Sequence, residues 1–256
     1  MDRFGLYAQY YDLLYLDKNY VAETEYIVKL IKQYSVSAQK ILNLGCGTGK
    51  HDYVLARLGY NVTGIDMAAE MTSQAINNTP LDVKDQLRFV TGDIRTAAIN
   101  ETFDIVISLF HVMSYQVTNQ DLSAAVNTAH QHLPDNGLFI FDCWYGPGVL
   151  TDPPVTRIKR MANDTINITR LAESTVNSLE NTVDVNYTIL INPIDSNQVT
   201  EIKESHTMRY IFKSEVELLI AGKFKILKTY EWLTDEEPTL NSWNAVFILQ
   251  KLKSES

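Results

Sequence analysis

The chain is short of several things, and each shortage removes a class of protein. Only two cysteines, Cys46 and Cys143, occur in 256 residues. Each lies in or beside an apolar stretch that reads as a buried strand, so reduced packing residues are expected and a disulfide framework is not. Long hydrophobic runs are missing. The best of them, Phe103 to Phe110 interrupted by Asp104, is far too short to cross a bilayer. The N-terminus carries Asp2 and Arg3 ahead of an aromatic stretch rather than an uninterrupted signal-type core, which makes the cytoplasm the expected location. Basic residues are outnumbered, 22 against 31 acidic ones, for a formal net charge of −9. A duplex-binding groove needs clustered Lys and Arg to neutralise phosphates, so this balance speaks against nucleic acid as a partner. The five histidines are scattered, and His130 with His132 has no cysteine or acidic neighbour at ligand spacing, so no metal is expected. No internal repeat is present. What remains is ordinary globular material, 45% hydrophobic and 21% charged, enough for one large domain or a domain with an insert.

The first half alternates helix and strand. Tyr26, Ile27, Leu30, Ile31 and Tyr34 recur at helical spacing, and Lys40 leads into a first strand. A short helix over Asp52 to Leu58 is stopped by Gly59, and Asn61 to Asp66 is a second strand. Met67 to Asn77 predicts a helix, Leu87 to Val90 a third strand, and Phe103 to Phe110 a fourth. Thr118 with Asp121 resembles a capping box opening a helix with Leu122, Ala125, Val126, Ala129 and Leu133 on its apolar face, and Leu138 to Phe141 is a fifth strand. Strands apolar on both faces and separated by helices imply a parallel sheet covered on both sides. After Trp144 the pattern changes. Gly146-Pro147-Gly148 and Asp152-Pro153-Pro154 predict a break. Val183, Val185, Tyr187, Ile189 and Ile191 then alternate with more polar residues, as do Ile202, His206, Met208, Tyr210 and Phe212. A helix over Ser214 to Ala221 and two strands, Phe224 to Trp232 and Trp243 to Leu252, close the chain. The expected fold is α/β: a doubly wound, mostly parallel seven-stranded sheet with an antiparallel C-terminal hairpin, plus an antiparallel β insert. Its expected division is 1–145 with 213–256 as the sheet domain and 146–212 as a β cap contributing to a substrate pocket.

Chemistry concentrates at Ile41-Leu42-Asn43-Leu44-Gly45-Cys46-Gly47-Thr48-Gly49-Lys50 and at Val62-Thr63-Gly64-Ile65-Asp66. An apolar strand running into a glycine-rich turn lets a ligand approach bare backbone N–H groups at a helix start, and an acid ending the next strand can grip a ribose diol. A dinucleotide fingerprint places its third glycine where this chain has Lys50, one residue after Gly49. A cofactor without phosphates needs the tight turn but no pyrophosphate cradle, which points to S-adenosylmethionine.

These motifs resemble the class I S-adenosylmethionine-dependent methyltransferases over residues 1 to about 145: Leu44 to Gly49, Gly64-Ile65-Asp66 with Met71 downstream, Gly92-Asp93-Ile94, and Phe103-Asp104 with Leu109-Phe110. The resemblance implies that Gly45 and Gly47 line the methionine part, Asp66 binds the ribose hydroxyls and Met67 packs on the adenine. It further implies that Asp93 accepts from the adenine amino group, that Ile94 offers its N–H, and that Leu109 places a carbonyl near the methionine ammonium. For Asp66 and Asp93 a purely turn-forming role stays open.

A narrower resemblance reaches the segment Leu6 to Tyr15, Lys18-Asn19-Tyr20, the Gly47-Thr48-Gly49-Lys50-His51 run, and Phe110 through Tyr115. It is to the N-methyltransferases acting on nucleotide-linked amino sugars, which carry a mainly antiparallel insert after the fifth strand. This chain departs from that pattern between Tyr15 and Lys18 and at Trp144 to Gly148. The reading implies a transfer to the amino group of a small acceptor, with Tyr15 and Tyr115 lining the acceptor side and Tyr15 also covering the cofactor. For Tyr7, Tyr10, Tyr11 and Tyr15 helix packing is the alternative. His111 serves as base or acceptor, or is a strand-end histidine; His206 contacts substrate or packs in a core. Arg209 anchors a diphosphate or belongs to a solvated face. Trp144 and Tyr145, expected just beyond the fifth strand, stack on a base or sugar or plug the sheet edge. The expected partners are a small molecule, at most a second copy of the chain, and neither nucleic acid nor membrane. The competing readings are O-methylation of a small metabolite, a non-catalytic nucleotide-binding protein, and an oxidoreductase.

Overall fold

The computed structural model describes residues 13–14, 18–35, 37–195 and 198–253. In chain order its strands are β1 (Lys40–Leu44), β2 (Asn61–Asp66), β3 (Leu87–Thr91), β4 (Ile105–Ser108), β5 (Leu138–Tyr145), β6 (Arg157–Ala162), β7 (Ile166–Asn177), β8 (Thr182–Pro193), β9 (Thr200–Ile211), β10 (Phe224–Glu231) and β11 (Asn244–Lys251). Its helices are α1 (Tyr20–Tyr34), α2 (Lys50–Arg57), α3 (Ala69–Asn77), α4 (Asn119–Gln131), α5 (Gly146–Thr151) and α6 (Lys213–Leu219). Two compact units result, residues 20–152 with 209–256 and residues 1–19 with 153–208.

The larger unit is built on seven strands in the order β3-β2-β1-β4-β5-β11-β10. The first five are parallel, and β11 runs antiparallel to β5 with β10 outside it. Side chains of β5 alternate between two cores, which is why its sequence is apolar throughout: Phe139 and Phe141 join Phe247 on one face, while Leu138 and Ile140 join Ile27, Ile31 and Ile248 on the other. Of the expected capping box the N-cap half forms, with Thr118 Oγ1 accepting from the Asp121 N–H at 3.0 Å, while Asp121 Oδ2 accepts from the Thr118 hydroxyl at 2.7 Å. Strand order reverses between β1 and β4, so the loops after these strands open a crevice at their carboxyl ends.

Two expectations change here. Strand β5 does not stop at Phe141 but runs to Tyr145, because Val246, Ala245 and Asn244 of β11 pair with Asp142, Cys143 and Trp144, and Tyr210 and Ile211 at the end of β9 pair with Trp144 and Tyr145. Trp144 and Tyr145 are therefore strand residues rather than residues beyond the strand. The Gly146-Pro147-Gly148 run, expected as a break, starts α5, with Pro147 in the first turn where its missing N–H leaves no bond unmade.

In the smaller unit β6, β7 and β8 pair antiparallel in sequence. The alternation seen over 183–191 buries Val183, Val185, Ile189 and Ile191, and Leu14, Ile166, Ile168, Ile189 and Ile191 form a small core. The helix α5 and residues 209–212, assigned to the insert from sequence, lie in the larger unit.

Candidate functional site

Of the expected cofactor residues, Gly45, Gly47, Met67, Asp93, Ile94 and Leu109 sit in the segments after the carboxyl ends of β1 to β4, Asp66 ends β2, and Met71 lies in α3. The turn after β1 is held from behind: Gly45 and Cys46 both donate to the Ile65 carbonyl at 2.8 Å. Gly45 has φ +83 and a Cβ there would meet Val112 at 2.5 Å, so a side chain is excluded on both counts. Gly47, at φ +56, has open space where its Cβ would be, which leaves backbone accessible to a ligand. Asp66 closes the turn, with Oδ2 accepting from the Gly47 N–H at 2.8 Å and Oδ1 from the Ala68 N–H at 2.9 Å. One donor per oxygen leaves each with a further lone pair. Met67 beside it is 70% exposed, and Met71 is half-buried. An open glycine turn, a half-satisfied carboxylate and an exposed thioether side chain fit a ribose and an adenine face. Helix α3 starts at Ala69 rather than Met67, which frees Met67 from helical packing.

Asp93 is less open. Its Oδ1 accepts from the Arg95 backbone N–H and Nε at 2.9 Å, and its Oδ2 from Arg95 Nη2 at 2.6 Å. Arg95 also reaches Asp121 Oδ1 at 2.9 Å, and its hydrogen bonds hold the Asp93 carboxyl below the usual carboxylate range. An adenine amino group there would compete with Arg95 for these oxygens, a residue that sequence reading passed over although its i+2 spacing from Asp93 was visible. The Ile94 side chain beside them is buried.

After β4 the side chain of Leu109 is buried, and Phe110 and His111 take φ of 65° and 63° in succession. Two consecutive non-glycine residues in the left-handed region are uncommon and must be held in place. The holder is Asp142 on β5, fully buried, which accepts from the His111 N–H at 3.2 Å. His111 Nδ1 lies 2.7 Å from Asp142 Oδ2, but without the direction of a hydrogen bond, so the contact is an electrostatic approach rather than an aimed donor. An acid inside the apolar run Leu138 to Cys143 was the sequence signal for this partner. Trp144 sits beside His111, ring centroids 6.4 Å apart, and meets Trp243 edge-on at 5.3 Å. Tyr115, at the end of a 3₁₀ turn, is exposed. The structure thus brings His111, Trp144 and Trp243 together at one end of β5. Tyr145 points away and packs against the core, where burial raises its hydroxyl pKa.

Beneath the turn, Asp52 on α2 is completely buried and accepts from Asn43 Nδ2 at 3.1 Å on both oxygens. Burial pushes its carboxyl up to about 7. His51 is turned away from the glycine turn onto Glu23 of α1, 2.7 Å away.

Tyr15 lies outside the described residues, as do Tyr7, Tyr10 and Tyr11. His206 is in the smaller unit, half-buried against the Tyr187 ring at 5.5 Å, with Nε2 3.5 Å from Glu204. Arg209 is neither solvated nor held out toward a diphosphate: it is 7% exposed, and its guanidinium spans the Val117 carbonyl, Asn119 Oδ1 and Glu215 Oε1 at 3.3, 2.7 and 2.5 Å. Because the tail of β9 is drawn beside β5, position 209 is covered on what an isolated strand would leave as its outer face. Arg209→Ala is therefore expected to destabilise the fold by about 3 kcal/mol, since it strands a partly buried Glu215; urea unfolding measures it, and a loss below about 0.5 kcal/mol would contradict the clamp.

Residues 41–137 match the model of a methyltransferase domain. The chain is 29% identical over 148 residues to the dTDP-3-amino-3,4,6-trideoxy-alpha-D-glucopyranose N,N-dimethyltransferase of Streptomyces venezuelae, a match covering 57% of this chain and 60% of that protein. It is 25% identical to the dTDP-3-amino-3,6-dideoxy-alpha-D-glucopyranose N,N-dimethyltransferase of Streptomyces fradiae, covering 84% of this chain and 82% of that one. Its fold is similar to that of an S-adenosylmethionine-bound amino pentose methyltransferase from Micromonospora echinaspora, with a TM-score of 0.76 at 21% identity over 96% of each chain.

Proposed function

We propose, from the premise that this chain belongs to the S-adenosylmethionine-dependent methyltransferases, that it transfers a methyl group to the amino group of a nucleotide-linked sugar. The observation that carries the cofactor half is Asp66, a carboxylate that locks Gly47 and keeps a free lone pair on each oxygen. The acceptor half rests on the relatives, whose names specify dTDP-linked amino sugars.

In this reading Gly45 and Gly47 give the methionine end close access to the backbone, Asp66 holds the ribose and Met67 covers the adenine. The cofactor supplies an electrophilic methyl on a sulfonium. Little covalent chemistry is left to the protein, because displacement at a sulfonium disperses charge and depends mainly on alignment and exclusion of water. In the same reading His111, whose backbone N–H donates to buried Asp142, takes a proton from the acceptor amine at its ring, and Trp144 supplies an aromatic wall beside it. Tyr15 and Tyr115 line the acceptor side in the same reading. Among the described residues no helix is long and apolar enough to cross a bilayer.

Calorimetric titration with S-adenosylhomocysteine and, separately, NAD tests the assignment. Binding of S-adenosylhomocysteine without NAD is expected; the reverse would replace this reading by a dinucleotide-dependent one. Incubating the protein with S-adenosylmethionine and a dTDP-linked amino sugar, with the corresponding hydroxyl sugar in parallel, then separates N- from O-methylation by product mass.

A further inference from the structure

The acid that ends β2 and the acid just past β3 are neighbours, and their oxygens are in opposite states. Asp66 pairs with Thr91 across the two strands, and its carbonyl accepts from the Gly92 N–H at 2.9 Å, one residue before Asp93. The Asp66 carboxylate takes one neutral backbone donor on each oxygen. Asp93 takes four hydrogen bonds from a single residue: Oδ1 accepts from the Arg95 backbone N–H and Nε at 2.9 Å, and Oδ2 from Nε at 3.0 Å and Nη2 at 2.6 Å. A carboxylate has about four lone-pair sites, so those of Asp93 are occupied.

Arg95 is itself held from the far side. Its remaining fork nitrogen, Nη1, donates to Asp121 Oδ1 at 2.9 Å, and Asp121 Oδ2 accepts from the Thr118 hydroxyl at 2.7 Å at the capped start of α4. Bidentate pairing within such a network is the geometry in which a partly exposed ion pair does contribute to stability. Any neutral N–H donor arriving at Asp93 has to displace a cationic one, and a contact charged on both sides is stronger than a contact charged on one. The 6-amino group of adenine is a neutral donor of this kind. The Ile94 backbone N–H, between the two residues, stands apart from the network: among the described residues it has no acceptor. It remains able to donate to a ring nitrogen.

We propose that Arg95 sets the base selectivity of the cofactor site: it keeps Asp93 occupied, so that the purine is read at a ring nitrogen and along its face but not at its 6-amino group, and the site accepts a cofactor whose purine lacks that group. The inference rests on the cofactor reading above and takes from Asp93 the role that the family resemblance implies for it. No covalent step is involved.

The test compares S-adenosylhomocysteine with its analogue in which purine replaces adenine, by calorimetric titration of the full chain and of Arg95→Met and Arg95→Lys. The two ligands share every ring nitrogen and differ only by the 6-amino group, so the ratio of their dissociation constants isolates that group. In the unmodified chain the ratio is expected to stay within about threefold. Arg95→Met keeps the stem and uncovers Asp93, and the ratio is expected to rise to about 10- to 100-fold in favour of S-adenosylhomocysteine. Arg95→Lys, which offers a point charge in place of a fork, should fall between. A larger ratio in the unmodified chain, or one that does not rise in Arg95→Met, overturns the proposal and leaves the cofactor assignment intact. If neither ligand binds the unmodified chain, the cofactor reading itself falls and the proposal falls with it. A second measurement needs no variant: the Arg95 Nε–H resonance, assigned through bonds in isotope-labelled protein, should stay protected from exchange with water when S-adenosylhomocysteine saturates the chain. Its loss on binding would show that the base takes Asp93 from Arg95, and would overturn the proposal.

Discussion

Asp66→Ala is expected to weaken S-adenosylhomocysteine binding about 100-fold or more. Two effects add. The carboxylate offers one free lone pair on each oxygen to a ribose diol, and a charge-assisted hydrogen bond contributes about 1.5–3 kcal/mol, so losing two of them costs at least a hundredfold in affinity. The same carboxylate also fixes the Gly47 N–H at 2.8 Å, and its loss leaves the turn free to sample other conformations. Asp66→Asn keeps one acceptor oxygen and separates the effects: an intermediate loss is expected. Calorimetry reads both variants, and an Asp66→Ala affinity within threefold of the unmodified protein would remove Asp66 from the ribose role.

Asp52→Asn is expected to stabilise the protein above neutral pH and to leave it unchanged in acid. Among the described residues Asp52 has no cationic partner; its contacts are the Asn43 amide and its own backbone N–H, and burial pushes its pKa up from 3.8 to about 7. Asp66 and Cys46 face it across the turn and Tyr53 follows it on α2, and nearby negative charge on Asp66 works in the same direction as burial. The native state thus holds a proton that the unfolded chain releases at lower pH. For a raised carboxyl, no penalty exists below the unfolded pKa, a penalty grows as pH rises toward 7, and it is constant beyond. A shift of this size corresponds to an upper bound of about 4 kcal/mol. Urea unfolding at pH 5 and pH 8.5 measures it: stability of the unmodified protein should fall between the two while that of Asp52→Asn stays closer to level. Equal pH profiles for the two proteins would show that Asp52 ionises normally. Asn43 Oδ1, buried and unpartnered, fits a site that tolerates a protonated neighbour, since rotation of the amide would let it accept from the carboxyl O–H.

Much of the larger unit was legible because its signals are short-ranged. Glycines at 45, 47 and 49 announce positive φ. The periodicity of α1 and α4 names their buried residues, and the apolar runs of β1, β4 and β5 imply cover on both faces. Boundaries were legible only where a local signal ends an element. Thr118 caps α4 visibly, whereas β5 runs on to Tyr145 because of Asn244 to Val246 and of Tyr210 and Ile211, more than sixty residues later in the chain by the numbering.

The sequence by itself determined the glycine turn, the acid that closes it, the parallel core and the antiparallel insert, because each depends on hydrogen bonds and side-chain periods spanning a few residues. Only the tertiary structure decided which ionisable groups meet. It placed Asp142 behind the strained Phe110-His111 corner, spent Arg209 on Glu215 and Asn119, and set Arg170 beside the Tyr187 ring. Such pairings follow from strand register and from which strand lies next to which, and a one-residue change of register would turn every one of these strand side chains to the other face.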